Sequence, residues 1–460
     1  MKRWAWFISI SIVAAALTMV ALSDAPTTRL DEYVAKSDPS FSWRVHARHE
    51  VGGSQLVELR LHSQSWRDTL WKHRLFVIKP PRVSAAQQGM LILGGGRWRD
   101  AYDADDVVAS LSDDTGLFLG IATRLETVVA VLAQVPFQPL FGLTEDQLIA
   151  HSFEQFLTSG DPEWPLLLPM VKSAARAMDA TQAFVAAEWN LQVDDFTVVG
   201  GSKRGWTAWL TAAVDPRVTG IVPMVIDALN MEQHFPYQTR VWGQPSEQIR
   251  PYTERNLHNI LAAEEGRVLR EIVDPFSYRE RLKQPKIIVI ATNDEYFPID
   301  ASNLYWNGLQ GPKYLLVLPN QGHSADDFGR LIPALSALQD HLVGRQPLPE
   351  MSWVYEWTER GLRLCMSAVP APVEARYWSA SSADRDFRDA VWSHEVLAET
   401  GTRHEVELVR PDAGYAAGFA ELAFEGGGSS FVLATNLAVL GAPGAAELDG
   451  APSSDAARCP

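Results

Sequence analysis

Residues 198–205 read Val-Val-Gly-Gly-Ser-Lys-Arg-Gly, and they join an apolar run at 196–199 directly to a helical pattern at 206–214. A serine on such a strand-to-helix turn is lifted above the edge of a sheet, and glycines near it let the backbone fold sharply. The common G-x-S-x-G turn has its second glycine two places after the serine. Here Arg204 takes that place and glycine follows at position 205, which leaves the tightness of the turn open. By itself the turn also fits a capped connection without chemistry.

Two later apolar runs end in the other residue types that an activated serine requires. The run 288–291 leads into Asp294, and the run 315–318 leads into His323. Ser202, Asp294 and His323 therefore follow one another in the chain order of an α/β-hydrolase triad. Because a serine hydroxyl is a weak nucleophile at neutral pH, a histidine must take its proton and a carboxylate must orient the imidazole.

Rival carboxylates lie close to the preferred one. Glu295 and Asp300 follow the same strand as Asp294. We prefer Asp294 because it comes first after the strand, where the backbone is rigid. Taken singly, the histidine and the aspartate also fit ordinary turn or capping residues. Their order at strand ends, after the serine turn, favours a triad-like site.

An acyl-transfer site also needs N–H donors for the oxyanion that develops on the substrate. The backbone N–H of Lys203 is the first candidate, and the second is Gly95 or Gly96, where the run 90–93 ends in a glycine-rich stretch. That stretch also fits a plain tight turn. The charged side chains of Lys203 and Arg204 could hold a substrate carboxylate or help the oxyanion, or they could pair with surface acids.

The pattern around these turns predicts a doubly wound, mostly parallel sheet of the α/β-hydrolase type over residues 24–346. Nearly uninterrupted apolar runs alternate with helical segments, as expected of strands buried on both faces. The short apolar runs 117–122 and 128–135 are two further strand candidates. Segment 227–281 is polar and aromatic, and it predicts a helical cap over one edge of the sheet.

A change of texture after Pro347 and Pro349 predicts a second, smaller unit. Short alternating runs punctuated by Gly and Pro indicate a β-sandwich-like C-terminal domain at 350–440. Residues 441–460 are mostly Ala, Gly, Pro, Ser and Asp, which predicts a disordered tail.

The first residues predict export from the cytoplasm. Lys2 and Arg3 precede an apolar stretch at 4–22, and small residues fit a cleavage site after about Ser23. We expect a signal peptide at 1–23 and a periplasmic or secreted protein with no stable membrane span after cleavage. An uncleaved anchor is the alternative, because the apolar stretch is nearly long enough to cross a bilayer.

Composition excludes several classes of function. The chain has 460 residues, 56 Asp plus Glu and 40 Lys plus Arg, so its net charge is −16. That charge argues against broad nucleic-acid binding. Two cysteines, Cys365 and Cys459, exclude a disulfide framework and a four-cysteine zinc site, and their pairing is left open. With no metalloprotease, P-loop or dinucleotide motif, no metal or organic cofactor is implied, and the expected partner is a small-molecule or peptide substrate.

Several motifs together resemble one known family, the PhoPQ-activated pathogenicity-related proteins, over most of residues 25–440. The motifs lie at 200–207, 213–218, 223–227, 293–295 and 322–324, with further likeness at 30–34, 164–167 and 172–179. The resemblance implies an exported α/β-hydrolase-like protein with Ser202, Asp294 and His323 at the triad positions. It also implies links to virulence and resistance to host peptides in bacteria, and to secreted repression of proliferation in eukaryotic relatives. It supplies no substrate.

Three functions follow from these residues. The first is an exported serine hydrolase that cleaves an ester or amide. The second is a non-catalytic binding or signalling protein on a hydrolase scaffold. The third is a peptidase, with Lys203 or Arg204 and the acidic surface of the protein engaging basic peptides. A serine oxygen within about 2.6–3.2 Å of the imidazole, beside a pocket, would favour an enzyme.

Overall fold

A computed structural model describes residues 27–104, 115–398, 401–426 and 428–445. The predicted signal peptide and Cys459 lie outside these ranges, as does most of the predicted tail. Gly441, the first residue of that tail, closes a strand (Ala438–Gly441), so ordered structure extends slightly further than predicted. Within the described ranges, no helix is both long enough and apolar enough to cross a bilayer.

Nine of the described strands form the central sheet. They are β1 (Ser42–Val51), β2 (Ser54–Trp66), β3 (Thr69–Lys79), β4 (Gln88–Leu93), β5 (Val129–Leu132), β6 (Asp195–Gly201), β7 (Val218–Met224), β8 (Lys286–Ala291) and β9 (Lys313–Leu318). Their spatial order is β1-β2-β3-β5-β4-β6-β7-β8-β9. The strands β4 to β9 are parallel to one another, and β1 to β3 are antiparallel to their neighbours. This mostly parallel sheet confirms the predicted α/β-hydrolase-like fold.

Ten α-helices accompany this sheet in the described ranges. They are α1 (Arg29–Ala35), α2 (Thr115–Leu125), α3 (Glu145–Ser159), α4 (Leu167–Trp189), α5 (Lys203–Val214), α6 (Met231–Trp242), α7 (Arg250–Thr253), α8 (Leu257–Ala262), α9 (Arg267–Val273) and α10 (Phe328–Leu342). Every residue of β5 and of β8 is buried, which is why their sequences carry no alternating polar positions. The helices α6 to α9 lie between β7 and β8, so the insertion predicted at 227–281 is helical.

One of the strand candidates is wrong. The run 117–122 lies in α2, where Ile121, Ala122 and Leu125 form the buried face. A short apolar run fits a strand or a buried helix equally well by pattern, and here the buried positions follow helical spacing. The other candidate, 128–135, contains β5.

The C-terminal part forms two β layers. Its strands are β10 (Glu350–Trp357), β11 (Gly361–Val369), β12 (Glu374–Ser382), β13 (Ser393–Val396), β14 (Arg403–Val409), β15 (Tyr415–Gly426), β16 (Ser429–Ala434) and β17 (Ala438–Gly441). One layer has the order β10-β11-β14, and the other continues the central sheet, because Ala434 of β16 pairs with Leu315 of β9. Buried residues of both parts form one apolar cluster, so position 350 marks a change of layer rather than a break in the core.

The connection between β12 and β13 holds the two loops that follow β8 and β9. The Asn293 side-chain amide donates to the carbonyls of Arg388 (2.9 Å) and Ala390 (2.8 Å). The Asn320 side chain donates to the Trp392 carbonyl (3.0 Å) and accepts from the Trp392 N–H (2.8 Å). These loops also carry Asp294 and His323, so the C-terminal part supports both.

Arg385, in the same connection, forms a buried ion pair. Its Nη2 lies 2.6 Å from Asp300 Oδ2 and 2.9 Å from the Tyr237 hydroxyl, which itself donates to Asp300 Oδ2 over 2.6 Å. The side chains of Arg385 and Asp300 are 8% and 3% exposed. The pair therefore ties the C-terminal part to the helical insertion through the loop after β8.

Replacing Arg385 by Met should destabilise the protein by about 3–5 kcal/mol, because it leaves the Asp300 carboxylate buried without its cation. Urea unfolding of the wild type and the variant measures the difference. Arg267→Met, which breaks a solvent-exposed pair with Glu264 and Glu271, is the matched control and should leave the midpoint almost unchanged. Equal, small shifts for both variants would show that the Arg385 pair does not hold the C-terminal part.

Candidate active site

Ser202 lies on a strained turn between β6 and α5. Its backbone angles are φ 55° and ψ −129°, in a region that residues with a β-carbon rarely adopt. Two backbone hydrogen bonds hold it there: Ser202 N donates to Met224 O (2.8 Å), and Trp206 N donates to Ser202 O (3.0 Å). These bonds fix the backbone, so the serine is held at the carboxyl ends of the parallel strands.

Two glycines make this turn possible. A β-carbon at Gly200 would lie 2.5 Å from the carbonyl carbon and oxygen of Arg204. A β-carbon at Gly205 would lie 2.7 Å from the Gly200 oxygen and 2.9 Å from Ile226 Cγ2. The turn is thus tight although its second glycine comes three places after the serine, because that glycine is the one that faces the strand.

Ser202, His323 and Asp294 are brought together. Ser202 Oγ lies 2.9 Å from His323 Nε2. His323 Nδ1 lies 3.0 Å from Asp294 Oδ1 and 2.9 Å from Oδ2. Asp294 Oδ1 also accepts the Tyr296 N–H over 2.8 Å, which fixes the carboxylate. Burial raises the pKa of Asp294, and the hydrogen bond from His323 opposes that rise.

The rival carboxylates have other partners. Glu295 Oε2 accepts the backbone N–H of His323 over 3.0 Å, so it holds the loop and not the imidazole. Asp300 is paired with Arg385. Tyr296, which the sequence analysis did not identify, stacks on the His323 ring with centroids 4.0 Å apart and planes 29° apart. No motif marks such a stack, because any aromatic side chain on this loop could form it.

The charged side chains beside the serine are bonded inside the protein. Lys203 Nζ lies 3.1 Å from Glu145 Oε2 and 3.1 Å from Asp146 Oδ2. Arg204 Nη2 lies 2.9 Å from Glu145 Oε1, and its Nε donates to the Val135 carbonyl over 2.5 Å. The sequence predicts that these side chains either act on the substrate or oxyanion or pair with acids. The structure shows pairing with acids, and those acids lie beside the serine. A role for the Lys203 ammonium or the Arg204 guanidinium in holding a substrate carboxylate is not supported.

Glu145 is the centre of this charge cluster. Burial opposes its ionisation, but the hydrogen bond and charge of Arg204, with the charge of Lys203, outweigh burial and lower the pKa of Glu145 from 4.5 to about 2. The cluster links the start of α3 to the start of α5. Its two carboxylates and two cations balance, so it adds no net charge to the site.

Three backbone N–H groups near the serine remain available. The loop after β4 lies beside the end of β6, because these strands are parallel neighbours. A β-carbon at Gly95 would lie 2.6 Å from Arg204 Nη2, so a larger residue there would displace the guanidinium. The N–H groups of Lys203, Gly95 and Gly96 donate to no acceptor in the described part of the chain. All three stay candidates for oxyanion binding.

A cavity opens beside Ser202, between the sheet edge and the helical insertion. The space between protein atoms here is about 570 Å³, with open solvent at the mouth included. Its walls are mainly apolar and include Trp206, Ile226, Met231, Phe235, Leu261 and Phe297. In the described ranges, no group of three His, Cys, Asp or Glu side chains is arranged to hold a metal ion.

Gly200→Ala should destabilise the protein by about 1–3 kcal/mol or more, because its β-carbon meets backbone atoms that cannot move aside. Gly120→Ala is the matched control, since nothing lies within 4 Å of a β-carbon there and the residue is in a helix. The control should be neutral or stabilising by up to about 1 kcal/mol. Urea midpoints of both variants check this, and a neutral Gly200→Ala would contradict the close approach of β6 and α5.

Glu145→Gln should destabilise the protein in a pH-dependent way. The folded-state pKa lies below the ordinary value, so the stability that Glu145 contributes is present above pH 4.5 and is lost as the pH falls towards 2. The difference in unfolding free energy between wild type and variant should shrink over that interval. Urea unfolding at a series of pH values measures it. Glu254→Gln, from a solvent-exposed pair, should show a small difference throughout, and a pH-independent effect of Glu145→Gln would refute the interpretation.

Comparison with known proteins identifies relatives across most of the chain. A relative from Dictyostelium discoideum, autocrine proliferation repressor protein A, is 29% identical over 435 residues, which cover 86% of this chain and 85% of the relative. Among solved structures, acetyl xylan esterase 1 from a Thermoanaerobacterium species has 17% identity and a TM-score of 0.43, and the match covers 68% of this chain and 92% of that one. An S-formylglutathione hydrolase from Agrobacterium tumefaciens has 12% identity and a TM-score of 0.41, with 66% and 98% covered.

The similarity to the two enzymes concerns the fold alone. The sequence model of one family matches residues 30–388, which is well over half of the chain. The motifs around Ser202, Asp294 and His323 all fall inside that match. The chain belongs to the PhoPQ-activated pathogenicity-related protein family.

Proposed function

We propose that this protein is an exported serine hydrolase that cleaves an ester or amide bond through an acyl-enzyme. The observation that supports this most strongly is the unbroken hydrogen-bonded path from Ser202 Oγ through His323 to Asp294, beside a cavity. A serine, a base and an orienting carboxylate at such distances are what nucleophilic catalysis requires. The substrate is a small molecule or a peptide.

Acylation uses each member of the path once. In the neutral ring, Nδ1–H of His323 donates to Asp294, and Nε2 accepts the Ser202 hydroxyl proton. As Oγ forms a bond to the carbonyl carbon, the proton moves to Nε2 and the carbonyl π electrons move onto the oxygen. Asp294 stays ionised and stabilises the imidazolium. When the intermediate collapses, the bond to the leaving group breaks, and that group takes the proton from Nε2.

Deacylation repeats these steps with water. Nε2 takes a proton from water as the water oxygen bonds to the acyl carbon. Collapse then expels Ser202 Oγ, which recovers the proton, and releases the carboxylic acid. In both steps the negative oxygen is bound by the Lys203 N–H together with that of Gly95 or Gly96. One such donor is commonly worth about 10²–10³ in rate.

Export rests on the sequence of residues 1–23. A basic start, an apolar core and small residues before Asp24 are typical of a signal peptide. The mature protein would act in the periplasm or outside the cell, with no nucleic-acid partner and no stable membrane span.

The alternative functions have weaker support. A signalling role is prompted by the name of the Dictyostelium relative, but a signalling protein needs no aligned nucleophile and base. The peptidase hypothesis invokes Lys203 or Arg204 together with the acidic surface. The charges of Lys203 and Arg204 are taken up by Glu145 and Asp146, so this part of the hypothesis loses its support. Hydrolysis of a neutral ester or amide is therefore the favoured reaction.

A fluorophosphonate probe should label the wild type and should not label Ser202→Ala, because the probe reacts with an activated serine oxygen. Gel fluorescence and peptide mapping measure the site of labelling. Equal labelling of both proteins would exclude Ser202 as the nucleophile, and an unlabelled wild type would favour the binding or signalling protein.

Asp294→Asn should slow labelling by the same probe by about 10⁴-fold, because the imidazole loses the partner that fixes its tautomer. Glu295→Gln is the matched control on the same loop and should slow labelling far less.

A further inference from the structure

His234 is a buried polar side chain on the wall of the cavity that opens at Ser202. It lies in α6, in the helical insertion, and is 1% exposed. Its Nδ1 is fully enclosed and has no hydrogen-bond partner. Nε2 has no partner among the described residues either, and it is not fully enclosed, so it is the ring nitrogen that a group in the cavity can reach. A polar side chain without a partner in an apolar site is costly, and a hydrogen bond from Nε2 to a bound group would reduce that cost.

Neighbouring aromatic rings hold the His234 ring in place. The rings of Phe235 and Phe297 lie edge-on to it, each with its centroid 5.7 Å away. Burial lowers the pKa of His234 to about 4, so the imidazole is neutral at physiological pH. A neutral imidazole has one donor and one acceptor nitrogen, so Nε2 can donate or accept one hydrogen bond, depending on the tautomer.

Two other polar side chains on the cavity wall have partners inside the protein. Asp146 bonds to Lys203 and accepts the Tyr252 hydroxyl over 3.1 Å. The Gln238 side chain donates to the Tyr296 carbonyl (2.7 Å) and accepts the Ser246 N–H (3.0 Å). Within the described part of the wall, His234 alone has an enclosed polar atom left without a partner.

We propose that His234 selects the substrate: the group seated in this cavity is uncharged and mainly apolar, and it carries one hydroxyl or carbonyl that hydrogen-bonds to the imidazole. The apolar walls exclude a strongly polar group, and the balanced charges of the Glu145 cluster offer no free partner to an ionic one. The inference rests on the proposed function, because it assigns the cavity to the substrate of Ser202. A site with a buried polar group rejects a substrate that cannot hydrogen-bond to it more strongly than an apolar wall rejects a substrate that lacks one methylene.

The test uses pairs of chromogenic esters that differ by one hydroxyl. In one pair the hydroxyl lies on a medium-length acyl chain, and in the other it lies on the alcohol. The wild type should prefer the hydroxylated member of at least one pair by about 10–100-fold in kcat/KM. His234→Phe should abolish that preference, and His234→Gln should restore part of it. Ile249→Val, which changes the same wall without removing a polar group, should keep the ratio.

Two results would overturn the inference: no preference in either pair, or a preference that His234→Phe retains. Fluorophosphonate labelling separates this failure from failure of the proposed function. A labelled wild type without any hydroxyl preference contradicts only the role of His234. An unlabelled wild type contradicts the hydrolase itself. Labelling of His234→Phe, together with its urea midpoint, shows that a changed ratio does not come from misfolding.

Discussion

The close approach of β6 and α5 at Gly200 and Gly205 is the constraint on which the site depends. With no β-carbon at either position, the strand and the helix come near enough to force Ser202 into a positive φ. Backbone hydrogen bonds to Met224 and from Trp206 then hold the serine at the strand ends. Everything that approaches its hydroxyl, from the imidazole to the cavity, is positioned relative to this turn.

The charge cluster around Glu145 neutralises the two cations that follow Ser202 in the turn. Two cationic side chains follow the serine directly, and an uncompensated charge in a half-buried site would be costly. Glu145 and Asp146 at the start of α3 neutralise them, and the lowered pKa of Glu145 reflects that contact. The cations therefore bind α3 to α5, and the cavity beside them is left with apolar walls.

Support for the acid and the base comes from the far end of the chain. Asn293 and Asn320, which flank the loops of Asp294 and His323, bond to the connection between β12 and β13. Arg385 adds a buried ion pair to Asp300. The C-terminal layer is continuous with the central sheet, so it acts as part of the scaffold of the site.

The sequence by itself determined the sheet and the three aligned residues. Long apolar runs report strands buried on both faces, and the ends of parallel strands meet at one edge, so Ser202, Asp294 and His323 could be placed together from their positions alone. The sequence did not distinguish a strand from a helix at 117–122, because a short apolar run fits both. Only the tertiary structure decided that Lys203 and Arg204 pair with Glu145 and Asp146, that Tyr296 stacks on His323, and that His234 is enclosed without a partner. Those contacts join side chains distant in the chain, and no local periodicity encodes them, because they depend on how separate elements are brought against one another.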